Sequence, residues 1–129
     1  MVTKSKVLVV DDEAEVRKLF RDFLEHRGYR VLMAEEGAEA LRILREQSPE
    51  LVLLDIRMPE MDGLEVLSRI KAMRPETTVV MISGYATLEI AKESLEKGAY
   101  DYISKPVDLG HLKDLILMIE ASKAMNNKE

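Results

Sequence analysis

The chain contains no cysteine and no tryptophan, and only 5% of its residues are aromatic. Without cysteine there are no disulfides, thiolate metal sites or cysteine nucleophiles, which fits a reducing compartment. Strong basicity is also lacking: 24 acidic residues face 19 basic ones, for a net charge of −5. Lys and Arg never stand more than two in a row, so the basic patch that a nucleic-acid backbone requires is missing. No apolar run approaches the ~20 residues of a membrane-spanning helix, and Met1–Lys6 shows no signal-peptide core. These absences predict a cytoplasmic protein that binds neither nucleic acid nor membrane.

The 129 residues fit one domain, and a hydrophobic fraction of 47% supplies a core. Strand-like and helix-like segments alternate five times. The predicted strands are Lys6–Val10, Arg30–Ala34, Leu51–Asp55, Thr78–Ile82 and Asp101–Ser104. The first helix is expected over Glu13–Arg27, with Val16, Leu19, Phe20, Phe23 and Leu24 on one stripe. The second is marked by Ala40, Leu41 and Leu44 and ends near Gln47. The third runs to about Arg74, with Val66, Leu67, Ile70 and Met73 inward. The fourth, about Thr87–Lys97, carries a thin stripe of Leu88, Ala91 and Leu95. The last helix buries Leu112, Leu115, Ile116 and Ile119. This alternation implies a doubly wound α/β fold: a five-stranded parallel sheet in the flavodoxin-like order 2-1-3-4-5, flanked by five helices. The domain is expected over residues 1–122, with a frayed polar tail at 123–129.

Four strands run into chemically loaded residues: Asp11-Asp12, Asp55, Ser83 and Lys105-Pro106. In a parallel sheet these carboxyl ends share one edge, where three carboxylates, a hydroxyl and an ammonium group would meet. The sequence after the first strand has none of the glycines that cradle a nucleotide phosphate. It has Asp11-Asp12-Glu13, which repels a bare phosphate and attracts a cation. Oxygen ligands without thiolate favour Mg²⁺ or Mn²⁺. Asp12 with Glu15 also fits a capping-box-like pair, a purely structural alternative. Pairs such as Glu13–Arg17, Glu65–Arg69 and Glu93–Lys97 suit solvated helix faces.

Taken in order, Asp11-Asp12, Asp55, Met58-Pro59-x-Met61-Asp62-Gly63, Ser83, Gly98-Ala99-Tyr100-Asp101-Tyr102 and Lys105-Pro106 resemble the receiver domain of bacterial two-component response regulators. The resemblance covers residues 5–121. It implies that Asp55 accepts a phosphoryl group from a sensor histidine kinase or a phosphotransfer protein. It implies that Asp11, Asp12, Asp55 and the backbone carbonyl of Arg57 hold Mg²⁺, and that Lys105 and Ser83 bind phosphoryl oxygens. Ser83 and Tyr102 would form the switch, Pro106 would follow a cis peptide, and Arg57 and Tyr85 would tune phosphoryl lifetime. The fourth helix, fifth strand and fifth helix would meet an effector, with room for a homodimer formed on phosphorylation. The stretches around Gly84-Tyr85-Ala86-Thr87 and residues 98–102 look like receivers attached to transcriptional activators. Ser83 stands where threonine is commoner in the family, and Gly84 where alanine is. Two alternatives remain: a small phosphatase with Asp55 as nucleophile, or a phosphate-independent scaffold on the same fold.

Overall fold

The computed structural model describes residues 5–56, 62–84 and 87–126. Five strands and five helices alternate along the described chain: β1 (Lys6–Val10), α1 (Ala14–His26), β2 (Arg30–Ala34), α2 (Gly37–Gln47), β3 (Leu51–Asp55), α3 (Gly63–Met73), β4 (Thr78–Ser83), α4 (Leu88–Glu96), β5 (Asp101–Ser104) and α5 (Leu109–Asn126). The strands form one parallel sheet in the order β2-β1-β3-β4-β5. This is the predicted doubly wound architecture, with element boundaries that differ by a residue or so.

Side chains alternate across each strand, so the sheet sends one set of residues to each face. Leu8, Val10, Val52, Leu54, Val79 and Met81 pack against α2 and α3 through Ala40, Leu44, Val66 and Ile70. Val7, Val9, Leu53, Val80 and Ile82 pack against α1 and α5 through Phe20, Leu24, Leu112 and Ile116. β1 and β3 are apolar at nearly every position because both their faces are covered. Truncating a fully buried leucine such as Leu53 or Leu54 to alanine costs about 2–5 kcal/mol. This two-sided packing makes the sheet a rigid platform for whatever stands at its edge.

Three helix faces depart from the predicted pattern. On α4, Leu88 is 86% exposed and Leu95 half-exposed, so the Leu88–Ala91–Leu95 stripe does not face the core. The buried residue there is Ser94, whose hydroxyl donates to the Ile90 carbonyl at 2.8 Å and so enters the interior satisfied. Leu19 of α1 and Met73 of α3 also lie at the rim, about half and a third exposed. The polar tail expected from Lys123 is helical through Asn126, where the Lys123 ammonium donates to the Glu50 carbonyl at 3.1 Å. Gly28, at φ +94°, closes α1 in a left-handed turn that favours glycine.

Candidate functional site

Parallel pairing brings the carboxyl ends of β1, β3, β4 and β5 together. The Asp11 amide donates to the Ala34 carbonyl at 3.1 Å, which extends the β1–β2 ladder one residue past the strand. Asp11 is thereby held rigidly and is only 2% exposed. Asp55 closes β3 and is 5% exposed, while Ser83 closes β4 fully buried. Asp12 is exposed at the mouth of the site. One oxygen each from Asp11, Asp12 and Asp55 lie within 4.8 Å of one another. Three carboxylates from two strand ends, one open to solvent, could hold a hard divalent cation that keeps several of its waters.

Lys105 neutralises part of this charge. Its ammonium donates to Asp11 Oδ2 at 3.0 Å and Asp55 Oδ2 at 3.4 Å, and lies 3.6 Å from Glu13 Oε1. Burial works against the charged lysine, yet the hydrogen bond and charge of Asp11, together with Asp55, outweigh it and hold the ammonium above the ordinary lysine range. The Lys105 amide donates to the Ser83 carbonyl at 2.8 Å, which ties the β5 end to β4. The Lys105–Pro106 peptide is cis. The Ser83 side chain lies beside the Tyr102 phenol. Burial raises the Tyr102 pKa, and the Ser83 contact partly opposes that rise.

Two local devices shape the pocket. The first is Gly63, whose amide donates to the Ile56 carbonyl at 2.9 Å. A Cβ there would sit 2.5 Å from the Ile56 Cα and 2.7 Å from the Asp55 carbonyl oxygen. Only glycine lets α3 begin this close beneath the end of β3. The second is the turn into α1. Asp11 Oδ1 accepts the Glu13 amide at 2.9 Å, and the N-cap Glu13 makes no side-chain cap. The Asp12–Glu15 capping pair is therefore not formed; the turn is stabilised by the buried carboxylate of Asp11 instead.

The structure thus gathers Asp11, Asp12, Asp55, Ser83, Tyr102 and Lys105 at one edge. Arg57 and Tyr85 fall outside the described residues, as does the Met58–Met61 loop. Sequence reasoning missed two participants. Glu13 faces Lys105 rather than Arg17. Arg17 donates to the Asp11 carbonyl at 2.7 Å and pairs with Glu35 at 3.2 Å. Helical side chains lean toward the N-terminus, which is the signal that a long residue one turn into α1 reaches back over this pocket.

Residues 7–117 match the family model described as the response regulator receiver domain. The chain is 37% identical over 116 residues to the regulatory protein AtoC of Escherichia coli, covering 90% of this chain but 25% of that protein. It is 36% identical over 111 residues to the sporulation initiation phosphotransferase F of Bacillus subtilis, covering 86% of this chain and 90% of that one. Among solved structures, a CheY-like response regulator receiver domain protein from Methanospirillum hungatei superposes with a TM-score of 0.93 at 32% identity, covering 97% of this chain and all of that one. The chain thus spans nearly all of some relatives and about a quarter of others. Receiver domains bind Mg²⁺ in an acidic pocket and work with histidine kinases and effectors, and the carboxylate cluster here fits that pattern. With its five-stranded fold, its charged sheet edge and these matches, the chain belongs to the receiver-domain family of two-component response regulators, modules of phosphorylation-driven signalling.

Proposed function

We propose that Asp55 is the phosphoacceptor and that Asp11, Asp12, Asp55 and the backbone carbonyl of Arg57 hold Mg²⁺ beside it. The observation that carries this reading is the Lys105 ammonium, bonded at once to Asp11 and Asp55, residues 94 and 50 positions away in sequence. A fold that needed only stability would not gather three carboxylates around one lysine. The oxygen-only donor set, with exposed Asp12 at its mouth, fits Mg²⁺, with Mn²⁺ as a substitute. When bound, Mg²⁺ supplies positive charge that offsets the repulsion between carboxylates and phosphoryl oxygens.

The chain's own residues supply the rest. The Asp55 carboxylate attacks the phosphorus of a phosphohistidine on a sensor kinase or phosphotransfer protein. A P–O bond forms as the P–N bond breaks, and the nitrogen keeps the electron pair and takes a proton. Lys105 stabilises charge on the transferring oxygens, and the Ser83 hydroxyl donates to one of them; such transfer depends mainly on positioning and electrostatics. The Ser83 hydroxyl lies near enough to Tyr102 to affect its ionisation, so drawing that hydroxyl toward phosphate changes the surroundings of a β5 side chain. The few buried residues of α4 let that change spread to the α4–β5–α5 face, where an effector or a second phosphorylated copy would dock.

Arg57 stands two residues past Asp55, where a phosphatase of this chemistry keeps an acid/base carboxylate. A guanidinium does not give up a proton at neutral pH. The module therefore accepts and releases its own phosphoryl group and does not turn over general phosphomonoesters. We place the receiver unit at residues 1–122 and its action in the cytoplasm. Arg57 and Tyr85 lengthen the phosphorylated state by hindering water; replacing both with alanine should speed phosphate loss, and unchanged or slower loss would remove them from that role. The proposal as a whole is tested by incubation with a small phosphoramidate and Mg²⁺. Wild type should gain the mass of one phosphoryl group and Asp55→Asn none; equal gain by both would refute it.

A further inference from the structure

The acidic pocket has a support outside the set of residues assigned to it. The Arg17 side chain is only 13% exposed, although arginine is rarely buried without a purpose. One nitrogen of its guanidinium donates to the Asp11 backbone carbonyl at 2.7 Å, the other to Glu35 Oε1 at 3.2 Å. The Glu35 backbone is tied to the first turn of α2, its amide donating to Glu39 Oε1 at 2.9 Å, while its carboxylate stands at the surface. The Asp11 carbonyl belongs to the peptide that joins Asp11 to Asp12. A planar peptide pinned at its oxygen has little freedom to rotate, and its plane sets the direction in which Asp12 leaves β1.

We propose that Arg17 is a positioning residue for the cation site: by clamping the Asp11–Asp12 peptide against α1 and the β2–α2 turn, it holds the exposed Asp12 carboxylate within reach of Asp11 and Asp55. The inference rests on the assignment of these three residues to Mg²⁺. Its physical content is that Asp12, unlike Asp11, has no place in the sheet to fix it. Asp11 is held by the Ala34 carbonyl, the Glu13 amide and Lys105. Asp12 inherits its order from the peptide that precedes it.

Three roles for Arg17 make different predictions for the binding of Mg²⁺ alone, measured by isothermal titration calorimetry. If Arg17 acted only through its charge, Arg17→Met would remove a cation near the site and tighten Mg²⁺ binding. If it only joined α1 to α2, Arg17→Met would lower the urea midpoint and leave Mg²⁺ affinity unchanged. Positioning predicts weaker binding in spite of the lost charge, by about tenfold, the low end of what losing the partner of a metal ligand costs. Arg17→Lys keeps the charge and the apolar stem but not the two-pronged fork, and should recover only part of the affinity. If Arg17→Met does not fold, Arg17→Lys carries the test by itself, weaker binding supporting the proposal. Unchanged or tighter Mg²⁺ binding in a folded variant overturns it. Absence of Mg²⁺ binding by wild type would instead overturn the cation site, and this inference with it.

Discussion

Replacing Asp55 by asparagine should stabilise the fold in the absence of Mg²⁺ and abolish most of the stability that Mg²⁺ confers. Among the described residues, Asp55 is attracted by Lys105 and repelled by Asp11 and Asp12. Its Oδ2 lies 3.4 Å from the Lys105 ammonium, and an oxygen of Asp55 lies within 4.8 Å of oxygens on both Asp11 and Asp12. At an effective dielectric constant near 20, that attraction is worth about 5 kcal/mol and each repulsion about 3.5 kcal/mol or more. Among these three neighbours, the two repulsions outweigh the attraction by about 2 kcal/mol on the same scale. Asp12 is exposed, so water weakens its share and brings the relief to about 1 kcal/mol. Asparagine fills the same space, so packing should not obscure the effect. Urea unfolding in EDTA should therefore show a higher midpoint for Asp55→Asn at unchanged slope. Adding Mg²⁺ at a hundred times its dissociation constant should stabilise wild type by about 2.7 kcal/mol and the variant far less, so that the order reverses. A variant less stable than wild type in EDTA, or one that gains as much from Mg²⁺, would refute the reasoning.

Other consequences follow from the same geometry. Gly63→Ala would place a methyl against the backbone of Ile56 and Asp55, with no flexible side chain to yield; a loss of about 1–3 kcal/mol in urea unfolding should accompany slower phosphorylation by phosphoramidate, and an unperturbed rate would show that the close approach does not position Asp55. Lys105→Met leaves two buried carboxylates without their shared cation. Because Lys105 is 20% exposed, the cost in EDTA should lie near or below the bottom of the ~3–5 kcal/mol range for broken buried pairs, and Mg²⁺ should restore part of it. Tyr102, with its pKa raised above the ordinary 10.0 by burial, holds its proton in the folded state over a window in which the unfolded chain has lost it. Its contribution to stability is therefore present below about pH 10 and lost as pH rises through the folded value; Tyr102→Phe should flatten that alkaline decline, and an identical decline would show that another group causes it.

The strands and the chemistry at their ends were legible because both follow from short-range pattern. Val7–Val10 and Leu51–Leu54 read as doubly covered strands, and the residue after each run can only lie at the sheet edge. Helix faces were less legible where small or polar residues do the packing. On α4, Ser94 enters the core because its hydroxyl finds the Ile90 carbonyl within the same helix, a contact that hydrophobicity does not register. Leu88 and Leu95 are left outside, on a helix that the proposed function assigns to the partner-binding region. Arg17 was read as half of an i,i+4 pair with Glu13, but a nearer carbonyl and a carboxylate from another element compete for it. Glu13 in turn is drawn to Lys105 across the pocket. These choices depend on tertiary distances that no spacing rule contains.

The account is tested most directly by locating the phosphoryl group. Wild-type protein treated with phosphoramidate and Mg²⁺, then reduced with borohydride and digested, should yield homoserine in place of aspartate at position 55 and at no other acidic residue. Conversion at Asp11 or Asp12 instead, or equal conversion in the presence of EDTA, would contradict the assignment of acceptor and cation site.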